Sequence, residues 1–140
     1  MPERFQLKRS RDWRMPEGAL KASRGTHLGN PFRVYEHCKG PAGDWGVEDT
    51  GRFNLSIAHG WTRLGAIRFA IDCYRQEFDK VYPPDSTARK ILAARLANTE
   101  LIGCWCAPAD PCHVDYLIEV AGEADPELVK SLKEMDDADA

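Results

Sequence analysis

The chain has 140 residues, of which 43% are hydrophobic and 29% are charged, a composition typical of one globular domain. No apolar run approaches the roughly 20 residues that cross a bilayer, and the N-terminal segment lacks the apolar centre of a signal peptide. We therefore expect a cytoplasmic protein without a membrane partner. The five cysteines are an odd number, which disfavours a disulfide framework and leaves reduced thiols, a metal site or a catalytic thiol open.

The net charge of −3 is distributed unevenly along the chain. Residues 1–33 contain eight Lys and Arg against three Asp and Glu, whereas residues 115–140 contain two against nine. A basic N-terminal segment of this kind can contact a phosphate group or nucleic acid. The alternative is that the two oppositely charged ends offset each other across one surface.

The first half of the chain predicts strands and loops. Residues 5–9 alternate apolar and polar side chains, which predicts a short strand, and residues 19–23 predict a second one. Residues 24–32 contain two glycines and a proline and are too irregular for a regular element. The glycine-rich residues 39–54 predict an exposed loop, which is either a mobile lid or a tolerated insertion.

The second half of the chain predicts helices around one buried strand. Apolar residues recur every three or four positions over residues 61–81, which predicts a helix, and Ser86 is a candidate N-cap of the next. The short apolar run 101–105 predicts a central strand. Asp110 is predicted to cap the following helix with a proline at its first position, and Asp125 to begin the last one.

The order of these elements predicts the fold class. Strands early in the chain, followed by helix, helix, strand and helix, favour an α/β fold in which a short, partly parallel sheet is packed by three to four helices. We predict a single small domain over residues 1–124. Residues 125–140 are predicted to add a C-terminal helix and a frayed acidic tail.

The segment after the buried strand combines cysteines with a histidine. Because side chains alternate along a strand, Cys104 and Cys106 are expected on one side and Trp105 on the other. Cys112 and His113 then fall in the first turn of a helix, where a thiol has a lowered pKa and free N–H groups can hold a phosphate or carboxylate. Ligand sites of open α/β sheets lie at such strand ends.

Three interpretations of this segment remain open from the residues alone. In the first, Cys112, His113 and Cys106 are catalytic, and Cys104 and Asp110 contact a small-molecule ligand. In the second, zinc is bound by the three cysteines and His113, although their spacing is not a familiar structural zinc pattern. In the third, the cysteines are small buried hydrophobic residues and His113 makes a local hydrogen bond.

Three blocks of the sequence are similar to domain-of-unknown-function family 4326, short proteins of phages and actinobacteria. The blocks follow one another in the order of the family and span residues 2 to about 121. They are Phe5-Gln6-Leu7-Lys8-Arg9-Ser10 with Asp12-Trp13-Arg14-Met15-Pro16, then Ser23-Arg24-Gly25-Thr26-His27-Leu28-Gly29-Asn30-Pro31-Phe32, then Leu101-Ile102-Gly103-Cys104-Trp105-Cys106 with Pro108, Pro111-Cys112-His113-Val114-Asp115 and Leu117.

The resemblance implies a fold and the location of a site, but no reaction. The second block departs from the family pattern, because Gly25 replaces a proline and His27-Leu28 replaces Lys-Trp. Roles of that lysine in phosphate binding and of that tryptophan in stacking are therefore not carried over to this chain. The block of cysteines and histidine matches the family pattern.

Residues 24–32 provide the second group of candidate ligand-binding residues. Arg24 can bind a phosphate or carboxylate with two donors, Gly29 permits close approach of the backbone, and Asn30 can pair with an amide-like edge. Thr26 is a further candidate ligand-binding residue of this segment. We expect this segment to form the wall opposite the cysteines, and the alternative is a structural turn that places Phe32 in the core.

Three functions follow as hypotheses. The first is binding of, or catalysis on, a nucleotide, nucleoside or modified base at the strand-end site. The second is a non-enzymatic phage-type protein that binds a host protein or nucleic acid through the basic N-terminal segment, in the host cytoplasm if phage-encoded. The third is a domain stabilised by a metal such as zinc. Glycine-rich phosphate loops and metalloprotease motifs are absent from the sequence, and neither an enzymatic reaction nor an oligomeric state is predicted.

Overall fold

The computed structural model describes residues 1–38, 44–52 and 55–138. Within these residues the chain forms two three-stranded sheets and four α-helices. The strands are β1 (Glu3–Gln6), β2 (Ala19–Lys21), β3 (Phe32–Cys38), β4 (Asp44–Asp49), β5 (Leu55–Trp61) and β6 (Leu101–Cys104). The helices are α1 (Arg63–Val81), α2 (Thr87–Ala97), α3 (His113–Ala121) and α4 (Pro126–Ala138), and a 3-10 turn spans Thr50–Arg52.

The first sheet is parallel, with the apolar strand β6 between β1 and β2. Glu3 and Ala19 both pair with Leu101 in register, so the three strands end at the same edge of the sheet. Ile102 in β6 has no exposed surface, as expected for a central strand. The α/β class and the parallel pairing predicted from the sequence are therefore confirmed.

The second sheet is antiparallel, in the order β3, β4, β5, and the sequence did not predict it. The interpretation of residues 39–54 as an exposed loop is wrong for residues 44–49, because these form the central strand of this sheet and Val47 is completely buried. Glycines in and around β4 obscured the strand pattern. Residues 39–43 and 53–54 of the predicted loop lie outside the described residues.

The first two helices begin where side chains cap their first turns. The hydroxyl of Thr62 accepts a hydrogen bond from the N–H of Gly65 at 3.0 Å and starts α1. Ser86 accepts one from the N–H of Arg89 at 3.2 Å and starts α2, as predicted. The buried residues of α1 recur at four-residue intervals and form one face of the helix: Ala66, Ala70, Tyr74 and Phe78.

The start of α3 differs from the prediction. Asp110 was expected to be the N-cap, but the cap is Cys112 and the helix begins at His113. The carboxylate of Asp110 binds Arg63 instead, with its nearer oxygen 2.8 Å from the guanidinium. The N–H of Cys112 is satisfied by Asp115, whose Oδ2 lies 3.2 Å away. Helix α3 therefore starts two residues later than the sequence pattern predicts.

One hydrophobic core joins the two sheets to the helices. It includes Val47 of the antiparallel sheet, Ile102 of the parallel sheet and Leu117 of α3, none of which is exposed. Helix α4 packs beside α2 with Leu132 buried, and Asn98 donates to the carbonyl of Val129 at 3.0 Å. Among the helices described, none has the length and apolarity that a membrane span requires.

Candidate functional site

A pocket of about 460 Å³ opens at the carboxyl edge of the parallel sheet. Gln6 at the end of β1, Arg24 after β2 and Cys104 at the end of β6 all line it. Helix α1 and strand β3 close the other sides. Ligand pockets of open α/β sheets lie at this edge because the loops after the strands diverge there. Its volume is in the range of small-molecule sites.

The pocket brings together most of the residues predicted from the two separate segments. Residues 23–34 and 104–113 both contribute to its lining, although 69 residues separate them in the sequence. The predicted site residues in the lining are Arg24, Asn30, Cys104, Cys106, Asp110, Cys112 and His113.

Two predicted ligand-binding residues, Thr26 and Gly29, do not line this pocket. The hydroxyl of Thr26 donates to the carbonyl of Ser23 at 2.6 Å, which closes a turn. A Cβ atom at Gly29 would lie 2.1 Å from that same carbonyl oxygen. Gly29 therefore permits the backbone at Ser23 to approach closely, whereas the close approach of a ligand was predicted.

Asn30 has a structural role that supports the same turn. Its side-chain oxygen accepts a hydrogen bond from the N–H of Phe32 at 2.9 Å, and its amide nitrogen lies 3.5 Å from the carbonyl of Ala70. Phe32 is only 8% exposed and belongs to the core. The contacts of Asn30 thus fit the alternative interpretation of this segment, a structural turn that buries Phe32.

Three thiols meet at the wall of the pocket beside β6. Cys104 ends the strand, Cys106 follows two residues later, and Cys112 caps α3. The Sγ atoms of Cys104 and Cys112 are 3.0 Å apart, and all three sulfur atoms lie within 4.8 Å of one another. We call these three residues the thiol cluster. Such a group could hold a metal ion.

Two thiols of the cluster hold their protons strongly. For Cys104 the largest effect, a hydrogen bond with Cys106, lowers the pKa, but the bond with Cys112 and burial outweigh it and raise the pKa to about 11. For Cys106 the hydrogen bond with Cys104 and burial raise the pKa to about 11 against the lowering effect of Cys112. Because the thiolate is the nucleophilic form, both thiols are mostly protonated and therefore weak nucleophiles near neutral pH.

His113 is fixed by the backbone of the neighbouring strand segment. Its Nε2 lies 2.6 Å from the carbonyl of Ala22, which can only accept, so Nε2 carries the hydrogen. Nδ1 lies 3.7 Å from the Sγ of Cys112. The ring is 5% exposed and contacts Tyr74 edge-on. Within the described residues, the ligand atoms that converge are the three sulfurs, and His113 of the predicted zinc set is not among them.

Arg4 fixes the loop between β6 and α3, and sequence reasoning missed it. Its guanidinium donates to the carbonyl of Pro108 at 2.6 Å and to that of Asp110 at 2.9 Å. It also lies 3.3 Å from the carboxylate of Asp115. These partners are more than 100 residues away in the sequence, so no local pattern could identify them.

The carboxylate of Asp110 faces Arg63 at the start of α1. The two guanidinium nitrogens of Arg63 lie 2.8 and 3.3 Å from the two carboxylate oxygens. This bidentate pair lowers the pKa of Asp110 through the hydrogen bonds and the positive charge of Arg63. Asp110 is therefore ionised at neutral pH, and both of its carboxylate oxygens already accept hydrogen bonds from Arg63.

Among the described residues that line the pocket, Arg24 is the arginine without an ion-pair partner. Arg33 pairs with Glu48, and Arg63 pairs with Asp110. The recorded contact of the Arg24 side chain is a weak hydrogen bond from Nε to the carbonyl of Asn30 at 3.4 Å, and no ion pair involves it within the described residues. Although Arg24 is exposed, partial desolvation and the nearby charge of Arg33 lower its pKa, while the charge of Cys106 opposes that effect.

An aromatic side chain stands beside the opening. Trp105 is 41% exposed, and the guanidinium of Arg9 lies 4.7 Å from its ring centroid. The backbone carbonyl of Trp105 accepts a hydrogen bond from Gln6 at 3.3 Å. The pocket therefore combines an unpaired cation, a thiol cluster and an exposed indole ring.

One comparison with known proteins identifies a family. The model of a family described as "Domain of unknown function (DUF4326)" matches residues 5–123. This range contains every residue that lines the pocket and ends just after α3. No curated protein and no solved structure matches the chain.

Proposed function

We propose that this chain, which belongs to the DUF4326 family, binds a nucleotide, nucleoside or modified base in the pocket at the carboxyl edge of its parallel sheet. A nucleoside monophosphate is the form that the charges favour. The observation that carries the proposal is Arg24, a cation in the pocket wall without an acidic partner among the described residues.

The charge of Arg24 supports an anionic ligand. Arg24 is exposed but partly desolvated, and the positive charge of Arg33 repels it, so its pKa is lowered. A phosphate bound against Arg24 would relieve both effects, and a guanidinium fits a phosphate with two parallel hydrogen bonds. The N-terminus of α3, at Cys112 and His113, also lines the pocket and adds a favourable dipole.

The rest of the pocket supports recognition of a ring system. Ile67 and Ile71 of α1 provide apolar lining opposite the strand ends. Trp105 is part of the lining and is 41% exposed; one face of its ring lies against the guanidinium of Arg9, so a base would stack on the other face. A phosphate contact together with a flat apolar surface is typical of a mononucleotide site.

Zinc binding by the thiol cluster is the second candidate function. It is favoured by one observation, the three sulfur atoms within 4.8 Å of one another. Thiolates are preferred ligands of zinc, which would displace their protons on binding. Stoichiometric zinc in the protein purified under reducing conditions would support this function, and its absence after zinc is supplied would refute it.

Calorimetric titration with adenosine monophosphate tests the first function. Replacing Arg24 with alanine removes a charge-assisted contact worth about 1.5–3 kcal/mol, so we expect Kd to rise by about 10- to 150-fold. Arg14→Ala is the matched control, because Arg14 is exposed in the basic segment and donates only weakly to the carbonyl of Trp13. Its Kd should change less than about twofold.

Two outcomes would contradict the proposal. One is the absence of binding by this and the other common nucleoside monophosphates to folded protein. The other is an equal loss in both variants, which would assign binding to the basic N-terminal segment as a whole and favour a nucleic-acid partner.

A further inference from the structure

We infer that the thiol cluster binds one divalent, thiophilic ion with an open fourth position, and that this position faces the pocket and receives a donor atom of the bound small molecule. The identity of that donor rests on the function proposed above, whereas the metal site and its open position do not. In the free protein a water molecule would complete the coordination.

The sulfur positions are close to those that a tetrahedral ion requires. Zinc–sulfur bonds of about 2.3 Å place tetrahedral sulfur ligands about 3.8 Å apart. Cys104 and Cys112 are separated by 3.0 Å, and the largest separation in the cluster is within 4.8 Å. Changes of about 1 Å or less in the sulfur–sulfur distances, which side-chain rotations can provide, therefore convert the thiol cluster into three metal ligands.

The chain provides no fourth ligand among its described residues. Nδ1 of His113 lies 3.7 Å from the Sγ of Cys112, but neither ring nitrogen belongs to the group of atoms that lie within 4.8 Å of one another. Asp110 is bound on both oxygens by Arg63. Asp115 accepts from the N–H of Cys112 and pairs with Arg4. Asp110 and Asp115 are thus committed to contacts that fix the loop or the helix, and His113 lies outside the converging group.

The open position has access to the pocket. All three cysteines line it, so an ion held by them lies at its wall. Three protein ligands with one exchangeable position are typical of zinc sites that act on a bound molecule, whereas structural sites are closed by four protein ligands. Zinc with three thiolates carries a net charge of −1, and Arg24, which lines the same pocket, can offset it.

Cobalt(II) provides the spectroscopic test. Titration of the reduced, metal-free full chain with Co²⁺ should produce thiolate-to-metal charge-transfer absorption and tetrahedral d–d bands that saturate at one equivalent. Imidazole, as a small nitrogen donor, and adenosine monophosphate should each shift the d–d bands while the charge-transfer intensity stays constant. The shift reports a change of the fourth ligand, and the constant intensity reports three retained thiolates.

Two cysteine variants separate the site from general thiol chemistry. Cys106→Ser should weaken Co²⁺ binding by at least about 10-fold and reduce the charge-transfer intensity by about one third, since one of three thiolates is lost. Cys73→Ser should leave both unchanged, because Cys73 is a partly buried thiol of α1 outside the thiol cluster. Circular dichroism of both variants verifies folding.

The outcomes distinguish the two proposals. Absence of charge-transfer absorption in folded protein overturns the metal site, and binding of adenosine monophosphate to the metal-free chain is then judged by calorimetry alone. Charge-transfer absorption with d–d bands that neither probe shifts overturns the open position. Bands that imidazole shifts, in a protein that does not bind adenosine monophosphate, support the open metal site and refute the nucleotide proposal.

Discussion

Individual side chains in the pocket differ mainly in whether they have partners. Arg63 and Arg33 are each neutralised by a carboxylate, whereas Arg24 has only a weak contact with a carbonyl. A paired arginine contributes mostly to the position of a loop, because its charge is already compensated. An arginine without such a partner remains available to an anionic ligand, which is why Arg24 carries the functional proposal.

From the raised pKa values of two thiols, we predict that the stability of the metal-free, reduced protein depends on pH. Folding raises the pKa of Cys104 and Cys106 from 9.0 to about 11. Their contribution to the free energy of unfolding is therefore complete below pH 9 and is lost as the pH rises through about 11. Urea unfolding at several pH values across this range should show the decline.

A double variant isolates the contribution of the two thiols. Serine at both positions cannot ionise in this range, so the decline should be smaller in Cys104→Ser/Cys106→Ser than in the natural chain. Some decline should remain, because burial also raises the pKa of Tyr74 and Cys73. Identical pH profiles for the two proteins would show that folding does not raise the thiol pKa values.

Strand β6 is the element that positions the site, and Gly103 allows it to pack. Gly103 pairs with Phe5 of β1, and a Cβ atom there would lie 2.5 Å from the Phe5 ring and 3.0 Å from Leu7. Gly103→Ala should therefore lower the free energy of unfolding by about 1–3 kcal/mol, as overpacking of a core does. Chemical denaturation measures the loss.

Gly51→Ala is the control for the glycine substitution itself. Gly51 is exposed, and the nearest atom to an added Cβ is a carboxylate oxygen of Asp49 at 3.3 Å, a looser contact than either of those at Gly103. Its stability should change by less than about 0.5 kcal/mol. Equal stability of the Gly103→Ala variant and the natural chain would show that β1 and β6 are less tightly packed than described.

At the scale of the whole molecule, the sequence predicted the parts of the fold that have local signals. The apolar run of β6, the periodicity of α1 and the cap at Ser86 each lie within a few residues, and all three elements are present. Cys104 and Cys112 were expected at a strand end and a helix start for the same reason. Local patterns thus located the strand-end half of the site.

The remaining features depend on contacts between distant residues. The antiparallel sheet pairs β3 with β4 and β5, and its glycine-rich centre resembles a loop when the strands are considered separately. Arg4 reaches Pro108, and His113 reaches Ala22, across about 100 residues. Such contacts follow from the topology of the chain, so periodicity and capping rules could not reveal them.

The central claim is that two segments distant in the sequence form one nucleotide-binding pocket. Titration of ¹⁵N-labelled protein with adenosine monophosphate tests it most directly, because each backbone amide reports separately. We predict that resonances from residues 23–34 and 104–113 shift together and follow a single binding curve. Shifts confined to the basic residues 8–14, or no shifts in either segment, would contradict the claim.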